Sequence, residues 1–67
     1  MEVIVGYDDA NSDVLTTRRY FDFLGKYNIL GIGHNKNGTS SIFLPDGFDL
    51  KRLPEELGDI PILEIIY

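Results

Sequence analysis

Cysteine is absent from the 67 residues of this chain, which removes disulfide stapling, thiolate metal cages and thiol nucleophiles together. Histidine occurs once, as His34, and no serine is placed by any motif to be a nucleophile it could activate. No apolar run approaches the ~20 residues needed to span a bilayer. The opening segment, Met1 to Asp9, has neither the basic start nor the long apolar core of a secretory signal. These absences predict a cytoplasmic protein, unless a leader has been removed. Basic charge is scarce as well: six Lys and Arg stand against eleven Asp and Glu, for a net charge of −5. That sign opposes condensation onto nucleic acid or an anionic membrane. No repeat, linker or low-complexity segment divides the chain. The reading is therefore of a protein without catalytic residues, metal or cofactor.

What is present is a composition of 43% hydrophobic and 25% charged residues, that of one folded domain over residues 1–67. A chain this short buries only about 60% of the surface it exposes when unfolded. Its stability is expected to be modest unless a partner adds burial.

The first strand is predicted over Glu2 to Tyr7, with Val3, Val5 and Tyr7 on one face and Ile4 and Gly6 on the other. Asp8 to Asp13 reads as a loop ending in a helix cap at Ser12 or Asp13. From Val14 to Leu24 or Asn28 the spacing is helical, gathering Val14, Thr17, Tyr20, Phe21, Leu24 and Tyr27 on one side with Phe23 at its border. Gly25 either ends that helix or is tolerated in its last turn. A hairpin follows, Ile29 to Asn35 and Ser40 to Leu44. A three-residue loop, Lys36-Asn37-Gly38, would pair Ile32 with Ile42 and Leu30 with Leu44, and would set Phe43 beside Gly31 and Gly33. Asp49 to Leu57 is read as a short helix with Pro54 as its first residue. Ile60 to Tyr67 is the last strand, apolar on both faces, with Pro61 confined to its start or to an edge. The order β-α-β-β-α-β predicts an α+β fold, a split βαβ or ferredoxin-like two-layer sandwich: a four-stranded antiparallel sheet with both helices on one face.

Three patterns with chemical overtones are better read as structure. Asp9, Asn11 and Asp13 match the first ligand positions of a calcium loop, but Val14 and Tyr20 stand where such a loop needs glycine and a bidentate glutamate. Gly31 and Gly33 precede a hairpin turn rather than a helix, so they do not form a dinucleotide fingerprint. Arg18 and Arg19 fall short of the cationic stripe of a nucleic-acid binder.

The open face of the sheet remains. Phe43 is expected to project from it together with one of two sets from the last strand, Ile60/Ile62/Ile66 or Leu63/Ile65/Tyr67. A contiguous apolar patch of this kind marks a protein interface. The residues expected to meet a partner are Phe43, Leu63, Ile65, Ile66 and Tyr67.

Val3-Ile4-Val5-Gly6-Tyr7 is similar to the opening strand of subtilisin propeptides, and Gly58-Asp59-Ile60-Pro61-Ile62 resembles their passage from second helix into last strand. The resemblance implies a small domain that chaperones or inhibits a serine protease through its open sheet face, although Ile66 and Tyr67 stand where the family commonly carries acidic residues. Asn28 to Ile66 also resembles a short β-rich module found beside some bacterial trypsin-like proteases. The expected role is a non-enzymatic protein-binding module, with another protein, such as a protease, or a second copy of the chain as partner. The alternative is an acidic regulator or phage-type inhibitor that mimics charge on a basic protein surface through Asp8, Asp9, Asp13, Glu55 and Glu56.

Overall fold

In the computed structural model, which describes every residue except Leu30, the chain forms β1 (Glu2–Val5), α1 (Val14–Lys26), β2 (Gly31–His34), β3 (Ser40–Phe43), a 3-10 turn (Leu50–Arg52) running into α2 (Leu53–Leu57), and β4 (Ile62–Ile66). The element order is the expected one. The strands make one antiparallel sheet ordered β2-β3-β1-β4. Each helical connection therefore passes over one intervening strand: α1 carries the chain across β3, and α2 carries it across β1. The expected pairing of Leu30 with Leu44 lies outside the described residues.

β1 is an inner strand, paired with β3 on one edge and β4 on the other, and its two faces are chemically distinct. Val3, Val5 and Tyr7 are fully buried and point towards the helices, joined there by Ile42 and Leu44 from β3 and its exit and by Ile60 before β4. From the helical layer Tyr20, Phe23, Leu24, Leu53 and Leu57 close the same core. Tyr7 stacks on Tyr20 with ring centroids 3.9 Å apart, and Ser40 Oγ, fully buried beneath them, donates to the Tyr7 carbonyl at 2.8 Å.

α1 starts where a short acidic side chain can accept a free N–H: Asp13 Oδ1 takes the Thr16 amide at 2.7 Å. This backbone hydrogen bond holds the Asp13 carboxyl below its usual value. The helix runs through Gly25 to Lys26, and the chain turns out of it at Asn28, the one non-glycine residue with positive φ (53°) among those described. Ile29 N–H then reaches the Leu24 carbonyl at 2.9 Å and Asn28 N–H the Gly25 carbonyl at 3.3 Å, the paired bonds of a Schellman stop. Phe23, placed at the border of the apolar side by spacing alone, lies at its centre, while Val14 and Phe21 are exposed. The helix is turned so that Phe23 can meet Tyr27 and Phe48, with centroids 5.3 and 6.1 Å away.

The hairpin has the expected loop. Asn35 N–H donates to the Thr39 carbonyl at 2.9 Å, Gly38 takes φ 77°, and Ile32 faces Ile42. Pro54 stands in the first turn of α2, and Gly58, at φ 60°, terminates it. The positive φ is what calls for glycine here; the Arg19 guanidinium that lies over it is the end of a flexible side chain.

β4 departs from simple alternation. Ile62 pairs with Val5, Glu64 with Ile4, Ile65 with Val3 and Ile66 with Glu2. Leu63 is an extra residue between two partners that are adjacent on β1, a bulge that changes the phase of the strand. Neither expected set therefore survives intact. Ile60 is buried and Ile62 and Ile65 pack against the core, whereas Leu63, Glu64 and Ile66 are exposed.

Candidate functional site

Two rows of cross-strand neighbours make up the face turned away from the helices. Across the sheet the first row runs Gly31, Phe43, Glu2, Ile66, and the second Gly33, Ser41, Ile4, Glu64. Phe43 is 48% exposed, Ile66 40% and the bulge residue Leu63 54%. Gly31, the cross-strand partner of Phe43, brings no side chain to this row. Ile4, half-buried, sits between the two apolar ends of the face.

The bulge is what brings Leu63 here. A shallow groove on this face is lined by Leu63 together with Glu2, Ile4, Ser41 and Glu64 and, from the hairpin, Asn35, Asn37 and Thr39. Its hairpin wall is held by a short chain of bonds: Asn35 Nδ2 donates to Ser41 Oγ and to Thr39 Oγ1, each at 3.1 Å, and Thr39 Oγ1 donates to Asn37 Oδ1 at 2.7 Å. Glu2 and Glu64 lie diagonally across β1 and β4, and among the described residues neither carboxylate has a salt-bridge partner.

Of the five residues expected to meet a partner, Phe43, Leu63 and Ile66 share this face. Ile65 does not: it pairs with Val3 and packs against the core from the helix side. Tyr67 also lies apart, 91% exposed past the end of β4, in a groove with Met1, Asp46, Gly47, Phe48 and Leu50. Ile4, Glu2 and Glu64 belong to the face and were absent from the expected set. For Ile4 the signal was available, since it alternates with Val3 and Val5.

The acidic residues named for charge mimicry are spread between opposite ends of the sheet. Asp8, Asp9 and Asp13 follow the exit of β1, whereas Glu55 and Glu56 lie on α2, entered from the end where Phe43 pairs with Glu2. Several have local work. Asp8 accepts from Ala10 N at 3.1 Å and Asn11 Nδ2 at 2.6 Å, and Asp13 caps α1. Glu56 Oε1 accepts from Lys26 Nζ at 2.8 Å and Tyr27 OH at 2.9 Å, bonds that hold its carboxyl below the usual range, Lys26 having the larger influence.

One polar chain reaches the histidine. Tyr7 OH donates to Asp9 Oδ1 and lies 3.3 Å from Thr17 Oγ1; Asp9 Oδ2 is 4.0 Å from His34 Nε2. Burial first, and then Asp9, push the Tyr7 phenol above its ordinary value. The His34 to Asp9 separation exceeds a hydrogen bond. Ser40, the cross-strand partner of His34, spends its proton on the Tyr7 carbonyl, so these groups do not line up as nucleophile, base and orienting acid. Among the described residues no group of three or more His, Cys, Asp or Glu converges to hold a metal ion, and no helix is long and apolar enough to cross a membrane. No family model, curated protein or solved structure matches the chain.

Proposed function

We propose that this chain is a non-enzymatic protein-binding module that docks through the open face of its sheet, in its sharpest form a propeptide-like inhibitor or chaperone of a serine protease. The observation that carries the reading is the joint exposure of Phe43, Leu63 and Ile66 on one face. Isolated apolar side chains on a surface need no explanation, but three gathered around Ile4 favour a contact. A sheet with helices on one side only leaves its other side for water or for another molecule.

The test uses a subtilisin-class protease and a small peptide substrate. The folded domain is expected to slow hydrolysis, and Ile66→Asp or Phe43→Ala to relieve that inhibition while leaving the circular dichroism spectrum unchanged. Absence of inhibition by the folded wild type removes the protease form of the reading. A second reading, an acidic regulator acting by charge mimicry, draws on the net charge of −5. It predicts binding that fades as salt rises, because exposed charges are screened within about 10 Å at 0.1 M salt whereas apolar contact is not.

A further inference from the structure

From the same face we infer the chemistry of its occupant: a different protein presenting apolar side chains flanked by lysine or arginine, and not a second copy of this chain. The inference rests on the docking role proposed above and adds its charge and its partner class.

The two strand rows of the face carry charge of one sign only, and the nearest lysine in sequence, Lys36, stands in the hairpin loop between the groove-lining Asn35 and Asn37. Glu2 stands between Phe43 and Ile66 in the first row, and Glu64 lies beside Ile4 in the second. The cations with salt-bridge partners, Lys26 and Arg52, are on α1 and in the turn before α2, on the helical layer. No Lys or Arg lies on any of the four strands. An apolar occupant alone would desolvate Glu2 and Glu64 without compensation, which is costly. An occupant with a guanidinium or ammonium group over that diagonal supplies charge-assisted bonds and keeps its apolar groups on Phe43, Ile4, Leu63 and Ile66.

A second copy fits poorly on two counts. Packing two open faces together brings four glutamates into one interface, a like-charge juxtaposition that no Lys or Arg of the strands relieves. The face is also small. Four strands of four or five residues, spaced about 4.8 Å apart with a rise of about 3.3 Å per residue, span only a few hundred Å². A stable interface typically buries about 800 Å² on each partner. Apolar contact over so small an area needs charge complementarity to become specific.

The experiment uses isotope-labelled protein and two synthetic amphipathic peptides with the same leucine positions, one flanked by lysines and the other by glutamates, with amide shifts followed by NMR. The lysine peptide is expected to move the amides of Ile4, Phe43, Glu64 and Ile66, and the glutamate peptide to leave them unmoved. Glu2→Gln with Glu64→Gln should weaken the lysine peptide by about tenfold. The control pair Glu55→Gln with Asp59→Asn removes equal charge away from the face and should change affinity by less than about twofold. Equal weakening by both pairs would mean that net charge alone attracts the peptide, overturning the inference. Equal binding of both peptides to the sheet would overturn the cationic requirement and leave the docking face standing. Shifts confined to α1, or none with either peptide, would remove the face and the inference together. Sedimentation of the protein alone is expected to show a monomer; a dimer abolished by Phe43→Ala would identify a second copy as the occupant instead.

Discussion

The two faces of the sheet are built from alternate residues of the same strands, yet they differ in how firmly their neighbours specify them. On the helix side Val3, Val5 and Ile42 are fully buried, as are the stacked Tyr7 and Tyr20 rings. On the other side Ile4, Phe43, Leu63 and Ile66 share space with Glu2, Glu64 and a hairpin held by side-chain hydrogen bonds. The contrast teaches that one face stores the stability of the domain. The other is free to be chosen for contact.

The two faces are most unequal at adjacent residues of β3. Ile42→Ala, on the buried face, is expected to cost about 2–5 kcal/mol, enough to unfold much of so small a domain. Phe43→Ala, one residue on, should cost no more than about 1 kcal/mol. Urea midpoints of the two variants measure the difference directly, and equal losses would mean that the faces are not energetically distinct.

Tyr20 offers a change of opposite sign. Its hydroxyl is buried without a hydrogen-bond partner among the described residues, and such a group costs about 1–3 kcal/mol when left unsatisfied. Tyr20→Phe keeps the ring against Tyr7 and is expected to raise stability by about 1 kcal/mol, read as an upward shift of the urea midpoint. A fall would show that the hydroxyl has a partner in solution.

Deletion of Leu63 tests the origin of the exposed patch. Without it β4 alternates simply, so Ile62 and Ile65 still face inwards and Glu64 and Ile66 outwards. Stability should change by less than about 1 kcal/mol, with the Val3–Ile65 contact preserved in NMR distance restraints. Exchange of those faces would mean that the bulge sets the register of the whole strand.

The smallest effect lies at high pH. Burial pushes the Tyr7 and Tyr20 phenols above their ordinary value, so the fold favours the neutral form. Their contribution is complete below the unfolded tyrosine pKa of about 10 and is lost as pH rises through the raised native values. Urea midpoints should therefore decline above about pH 10, and less steeply in Tyr20→Phe.

Much of this was legible in the residues. Alternation in Val3-Ile4-Val5 gave the faces of β1, the three-residue loop gave the Ile32–Ile42 register, and short acidic side chains before Val14 gave the start of α1. Two things were not. The apolar side of α1 is broad, and only the aromatic neighbours Tyr27 and Phe48 decide that Phe23 rather than Phe21 turns inwards. The last strand is apolar at both parities, so its hydrophobic pattern carried no phase information. That is why Ile65 was expected at the contact surface and lies on the core side instead. The charge of the open face became readable only once Glu2 and Glu64 had been set on it by pairing through β1.

The displaced register at Leu63 has a second consequence, at the border of the sheet. β4 is an edge strand, and a long flat edge is a template on which identical chains add one after another into fibrils. Here Pro61 comes just before the strand and the irregularity falls at its second residue, Leu63. An incoming copy can align its backbone over only a few residues before the hydrogen-bonding rhythm fails. The residue that enriches the exposed face thereby also discourages runaway polymerisation along the rim.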